Sequence, residues 1–434
     1  MNLSEKNTTP AVLIGEPGLV HCMSRHGIPV YTVSESSPSI SSHSRYSDSH
    51  LTVSSYDSEE FIDELCALGQ RLADDTVGKK AVLMSHDDRV LLNISNHRDR
   101  LEKYFLFRLP PADRVRSLLD KLKFCRLCEK YNLPAPVSVE VSGVDDLEKA
   151  GKAITPPYLI KPGYRHYWYA PDFTDIVGSY QKAYVCSTTG ELEALYAKIS
   201  RVHPDVVVQE YVAGDDDQML DVNLHVTADG NIDGYVICRK LRVYPKVAGW
   251  TCYARTVLDE SVYRTCREII GELGLTGLLN LQFKRDEFSG EPRLIEIHTR
   301  TSILDYQGAA AGQNLPLKYY LDLAGGIGDP EALPAGQPSL QERAEPAEYP
   351  LPEQAGESEG RRETAPLSAS PPYLPDVGYI HLARDIRHFA RYRKNSGYTF
   401  GEWLASYRNV RVFDSMKVRD PKVLVKMLLS LIGG

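Results

Sequence analysis

GLLNLQFKRDEFSGEPRLIEIHTR, residues 277–300, is the stretch from which the rest of the chain can be read. Its alternation of polar and apolar residues predicts two antiparallel strands joined by a short polar turn. Successive side chains on a strand point to opposite faces. The first strand therefore presents Asn280, Gln282 and Lys284 together, with Leu279, Leu281 and Phe283 behind them. The second presents Glu296, His298 and Arg300, backed by Ile295 and Ile297. Residues 286–292 between them hold Gly290 and Pro292, suited to reversing the chain. One face then carries an amide, a carboxylate, an imidazole and a guanidinium over an apolar underside. That set suits a metal ion and a polyphosphate. It is also what the solvent face of any half-buried antiparallel sheet shows, so other parts of the chain must decide.

A chain of 434 residues is too long for one simple core and predicts two or three domains. With 25% charged and 42% hydrophobic residues, the composition is that of an ordinary globular protein. The net charge of -8 argues against bulk nucleic-acid binding. No apolar run approaches the ~20 residues of a membrane span, and the polar start MNLSEKNTTP lacks the apolar core of a secretory signal. Eight cysteines fall without a framework spacing, and Cys125 and Cys128 form a lone CxxC in helical context. Reduced thiols and a cytoplasmic setting are expected, not zinc or redox chemistry.

Residues 1–115 are predicted to form a Rossmann-like α/β domain. Within it, 11–33 reads as strand, glycine turn, helix and strand, 59–72 as helix, and 80–84 and 90–94 as strand-like. Gly15 and Gly18 make only part of a GxGxxG fingerprint, so no nicotinamide cofactor is assigned. Leu118, Leu119, Leu122, Leu127 and Tyr131 then recur at helical spacing, in a helix stopping near Asn132 before Pro134 and Pro136. A short apolar strand, 158–162, ends in Lys161 and Pro162. A β-branched strand, 204–212, runs into Gly214 and the acidic trio Asp215, Asp216 and Asp217. Strands at 221–227 and 232–239 flank an Ala-Asp-Gly-Asn turn, and a helix at 261–273 leads into the 277–300 hairpin. Prolines dominate 331–375, predicted to be a linker too polar to pack. The remainder, 376–434, is basic and ends in VLVKMLLSLIGG, too short to cross a bilayer. It is expected to pack as helix on the body. The other reading is a peripheral membrane contact, or docking of an anionic or lipid-linked substrate.

Five of these segments, taken in order, resemble the ATP-grasp enzymes: Asp120-Lys121, Leu159-Ile-Lys161-Pro162, Val208-Gln-Glu210-Tyr-Val212-Ala-Gly214, Asn280-Leu-Gln282-Phe-Lys284 and Ile295-Glu296-Ile-His298-Thr-Arg300. The likeness is to the carboxylate–amine ligase branch, near the D-aspartate-ligase-like proteins, with biotin carboxylase and carbamoyl-phosphate synthetase more distant. It covers roughly residues 10–330. It implies a mixed α/β and α+β fold: a Rossmann-like pre-ATP-grasp domain, then a two-lobed ATP-grasp domain over 116–330, its small lobe 116–212 and its large lobe 213–330.

By this resemblance Lys121 and Lys161 reach the phosphates of ATP as compact point charges. Glu210, Tyr211 and Val212 link the lobes and read the adenine edge, and Asp217 or Asp221 holds the ribose unless the acidic trio is a solvated turn. Gln282, Glu296 and His298 build the Mg2+ site, with Glu296 bridging, and His298 either ligates, contacts the γ-phosphate or leaves one of two metal positions weak. Arg300 steadies the transferred phosphoryl group. Arg239 and Lys240 contact the γ-phosphate or substrate carboxylate, or else form a salt-bridged sheet surface.

The sequence departs from the family in three places. Gln282 stands where Glu is common, and His298 where Asn is usual, a nitrogen ligand better suited to Mn2+ or zinc. The flap, 163–185, is aromatic instead of glycine-rich and closes near Lys182. The implied reaction activates a carboxylate as an acyl phosphate, releasing ADP, and an amine, an amino acid for instance, then displaces phosphate. A homodimer is an open assembly. Rival readings are carboxylation through carboxyphosphate, nucleotide binding without turnover, and a Rossmann oxidoreductase.

Overall fold

The computed structural model describes residues 8–15, 17–24, 26–35, 44–76, 78–164, 168, 172–178, 181–247, 249–325, 372–394 and 399–413. The proline-rich segment up to residue 371 and the VLVKMLLSLIGG terminus lie outside the described residues. The described strands form three sheets.

The first comprises β1 (Ala11–Ile14), β2 (Val30–Glu35), β3 (Ser49–Val53), β4 (Ala81–Ser85) and β5 (Phe105–Leu106), all parallel, in the order β3-β2-β1-β4-β5. A parallel sheet covered on both faces needs near-continuous apolar strands, and Ala-Val-Leu-Ile of β1 is buried throughout. Val12 and Ile14 pack against the helix Glu59–Asp75, whereas Ala11 and Leu13 pack against the helices Pro17–Met23 and Leu315–Leu323. Residues 90–94 are not a strand. They lie in the helix Asp88–Asn96, capped by Asp87, whose side chain accepts from the Arg89 amide at 2.8 Å. Val90, Leu91 and Ile94 are buried at helical spacing, and a short apolar run is open to either period until its cap is considered. Gly15, with φ +140, ends β1 where a Cβ would stand 2.5 Å from that of His86. Its glycine lets β1 and β4 end side by side.

The second sheet is antiparallel: β6 (Ser138–Val141), β7 (Tyr158–Pro162), β8 (Tyr184–Cys186) and β9 (Val206–Glu210), ordered β6-β9-β7-β8. Val141, Ile160, Val206 and Val208 form its core with Leu147 and Leu192 of two covering helices. Ahead of it the single helix expected through Leu118–Tyr131 is broken. Ala112–Leu119 and Lys121–Lys130 meet at Asp120, whose carboxylate accepts from the amides of Leu122 (3.0 Å) and Lys123 (3.1 Å).

The third sheet is β10 (Met219–Val226), β11 (Ile232–Tyr244), β12 (Trp250–Val257), β13 (Gly277–Arg285), β14 (Pro292–His298), β15 (Gly378–Ile380) and β16 (Val410–Phe413), ordered β14-β13-β10-β11-β12-β15-β16. The quoted stretch is the β13–β14 hairpin at its edge, closed by Asp286, which accepts from the amides of Phe288 and Ser289. Val222, Leu224, Leu279, Leu281 and Phe283 turn to the helix Glu260–Leu273. The alternation expected in β14 slips: Gln282 pairs with Glu296 but Phe283 with Leu294, a bulge at Ile295. Leu294 and Ile297, not Ile295 and Ile297, therefore fill the core, and Ile295 is half-buried. The basic segment read as helical supplies both helices, Leu382–Tyr392 and Phe400–Ala405, and two strands, β15 and β16, that extend the sheet beyond β12. No helix among the described residues is long and apolar enough to cross a membrane.

Candidate active site

Three separately folded pieces bring charge to the polar face of β14, β13, β10 and β11. Lys121 opens its helix with its amide bonded to the Gly163 carbonyl at 3.0 Å, which ties that helix to the chain just past Lys161 on β7. The Lys121 ammonium donates to Glu296 Oε1. Lys161 donates to Gln209 Oε1 at 2.7 Å. Burial, reinforced by the Lys121 charge, lowers its ammonium to about 8. Burial alone would raise the Glu296 carboxyl, but Lys121 and His298 outweigh it and hold it well below the usual carboxylate range.

His298 lies between two carboxylates. One ring nitrogen, Nε2, is 3.0 Å from Glu296 Oε2, and the other, Nδ1, is 3.5 Å from Asp88 Oδ1. Burial and Arg300 act to lower the imidazole, yet the two carboxylates prevail and raise it. Arg300 Nε donates to Asp88, whose carboxyl, despite burial, is held well below its ordinary value by Arg300 and His298. The result is a continuous row, Lys121, Glu296, His298, Asp88, Arg300, in which each basic group faces a carboxylate.

Beside it runs a second row. Lys240 and Asp221, both buried, pair at 3.0 Å. Lys240 Nζ is 3.3 Å from Gln282 Oε1, Gln282 Nε2 donates to Asn280 (3.1 Å), and Asn280 to Asn223 (2.8 Å). Gln282 and Glu296 stand opposite each other in the register.

Other residues singled out in the sequence have partners outside these two rows. Arg239 precedes Lys240 on β11 and so points to the other face; it donates to the Asp217 carbonyl (2.6 Å) and carboxylate (2.9 Å). Glu210 accepts from the Val137 amide at 3.1 Å and from Arg293 at 3.3 Å. Lys284 lies 4.4 Å over the Tyr211 ring, and Val212 is buried. Lys182 lies 4.4 Å over the Trp250 ring. In the flap, residues 165–167, 169–171, 179 and 180 lie outside the described residues. Its Trp168 and Phe173 stack at 5.1 Å in the core of the second sheet, so part of the aromatic character is packing.

Asp88 is not among the residues that the sequence singles out. Its signal was there, an Asp-Asp pair opening an amphipathic helix, but the strand-like reading of 90–94 hid it.

Among the described residues no three His, Cys, Asp or Glu side chains converge as metal ligands. The candidate donors are the Glu296 carboxylate, the Gln282 amide oxygen and the His298 ring. Both Glu296 oxygens and both ring nitrogens already face protein partners. An oxygen-seeking divalent ion would find here one anionic ligand and one amide oxygen, and would draw the rest from phosphate or water. The donor set fits one such ion arriving with a nucleotide.

No family model matches the chain. It is similar to the D-aspartate ligase of Enterococcus faecium (strain Aus0004), 25% identical over 262 residues, which cover 59% of this chain and 61% of that protein. The chain thus spans about three-fifths of that relative's length. Among solved structures, N5-carboxyaminoimidazole synthetase from Staphylococcus aureus, complexed with ADP, superposes with a TM-score of 0.57 at 14% identity, covering 75% of this chain and 80% of that one. The L-amino acid ligase from Bacillus licheniformis superposes with a TM-score of 0.53 at 14% identity, covering 73% and 74%.

Proposed function

We propose that this chain, whose α/β fold is that of the ATP-grasp ligases, joins a small carboxylate to an amine with cleavage of ATP to ADP and phosphate. Residues 1–115 would serve as the pre-ATP-grasp domain and 116–330 as the two lobes that close on the nucleotide. The observation that carries the reading is the row of paired charges in which Lys121 meets Glu296 and Arg300 meets Asp88, residues from distant parts of the chain, with Lys161 near enough to feel the charges of Lys121 and Glu296.

A carboxylate is a poor electrophile until one of its oxygens becomes a leaving group. In the proposed reaction that oxygen attacks the γ-phosphorus of ATP, ADP leaves, and the amine then expels phosphate to form the amide. The residues need only position the reactants and offset charge. Lys121 and Lys161 would meet the phosphates, Arg300 and Lys240 the transferred group and the substrate carboxylate, and the Glu210–Val212 segment the adenine. Glu296, with Gln282 and His298, would hold Mg2+, which when bound neutralises the triphosphate. An amino acid as one substrate is supported by the named activities of the ligase relatives.

The test is phosphate release by purified protein with MgATP and a panel of amino acids paired as carboxylate and amine. With an 18O-labelled carboxylate, one label should appear in the released phosphate. Lys161→Ala and Glu296→Ala should each abolish turnover with the circular dichroism unchanged. Unaltered phosphate release in either variant contradicts the site. A second reading, nucleotide binding without turnover, is favoured by one observation: Glu296, His298 and Arg300 are already paired with protein groups. Tight binding of MgATP with no release across the panel would establish it.

A further inference from the structure

We propose that the C-terminal helix pair is a docking face for an anionic membrane surface. On the helix Leu382–Tyr392, Asp385 and His388 turn inward. Asp385 accepts from Arg242 Nε at 2.6 Å on β11 and from Trp403 Nε1 and the Tyr407 hydroxyl, each at 2.8 Å. Phe389 stacks on Trp403 with ring centres 4.6 Å apart. These contacts fix which sides of the two helices face out. Ile386 is left 46% exposed, Phe400 61% and Leu404 53%, and Phe413, the last residue of β16, is 37% exposed.

Arg387 and Arg391 on the same helix, and Lys394 in the turn that follows it, are also exposed. The one exposed acid on either helix, Glu402, is engaged in a capping box with Thr399. Residues 376–434 hold eleven Lys and Arg against five Asp and Glu, a net +6 in a chain of net -8, so the rest carries -14. Large apolar side chains flanked by cations, on a segment opposite in sign to the body, match the two attractions of an acidic lipid surface: apolar burial and phosphate charge.

Two other occupants fit less well. A second copy meeting this face symmetrically would set Arg387, Arg391 and Lys394 against their own like charges. The chain's own terminus, 414–434, carries four Lys and Arg, two Asp and the apolar VLVKMLLSLIGG. Its net +2 has the sign of the face, so it offers no charge complement to the exposed cations.

The full chain should co-sediment with vesicles of phosphatidylcholine containing phosphatidylglycerol, far less with phosphatidylcholine alone, and less as salt rises. A triple variant, Ile386→Ser, Phe400→Ser and Leu404→Ser, and a second, Arg387→Glu, Arg391→Glu and Lys394→Glu, should each lower partitioning at least about tenfold with the melting temperature unchanged. No binding by the full chain overturns the proposal, as does binding that both variants retain. So does loss of a dimer in the triple variant by sedimentation velocity, which would make the face an interface between copies. Loss of all binding on deleting 414–434, with both variants still bound, would likewise overturn it.

Discussion

Asp88 sits 212 positions from Arg300 and holds both it and His298 in place. Groups that orient charged ligands in this way are worth about 10–100-fold in activity. Asp88→Asn keeps the shape and drops the charge. Its kcat for phosphate release is expected to fall by about that factor, with a smaller change in KM for ATP and partial recovery in Asp88→Glu. An unchanged kcat would reduce Asp88 to packing. A buried carboxyl, Asp305, is pushed up to about 7 by burial, against the Ser302 amide at 2.8 Å and the Arg300 charge. Between the ordinary carboxylate range and that value the folded chain binds a proton the unfolded chain does not, so stability falls as pH rises through the window. Asp305→Asn removes the titrating group and keeps an acceptor. Its melting temperature relative to the parent should rise from about pH 4 to about pH 8; a flat difference would contradict the assigned environment. Lys161 and Glu296 could be singled out because each sets a charge within an otherwise apolar run. Asp88 could not be, because its partners are supplied by a distant part of the chain.

At the level of elements, the existence of the β13–β14 hairpin could be read from period alone, since nine and seven residues give enough alternation to mark two strands. The bulge at Ile295 could not, because one extra residue leaves the composition of both faces plausible in either register. The break at Asp120 escaped for a related reason: apolar spacing continues across it, and only the capping geometry of the aspartate divides the two helices. That cap aims the first residue of the second helix, Lys121, at Glu296. Asp120→Ala is therefore expected to cost about 1 kcal/mol in urea unfolding and, unlike an ordinary cap lesion, to raise KM for ATP. Asp120→Asn or Asp120→Ser, which still accept from the amides of Leu122 and Lys123, should restore both. Loss of stability with KM unchanged would mean that the cap does not position Lys121.

Across the whole molecule, the alternation of strands and helices forecast the parallel N-terminal sheet, but nothing forecast that the chain returns after residue 371 to add β15 and β16 to the third sheet. Strands of three and four residues carry no period of their own. Their place is fixed instead by pairing with β12 and by one buried ion pair, Arg242 with Asp385, at 2.6 and 3.0 Å. Removing one member of such a pair leaves the other charge in the interior without compensation, which typically costs about 3–5 kcal/mol, whereas replacing both by apolar groups of similar size is often nearly neutral. Asp385→Ala should accordingly lower the urea midpoint far more than the double replacement Arg242→Met with Asp385→Leu. Because Asp385 also receives Trp403 and Tyr407, the single variant should free the C-terminal unit first. Limited proteolysis is expected to cut between residues 382 and 413 while the rest of the third sheet stays protected. Cleavage spread evenly along the chain would show instead that the C-terminal strands are part of one cooperative core.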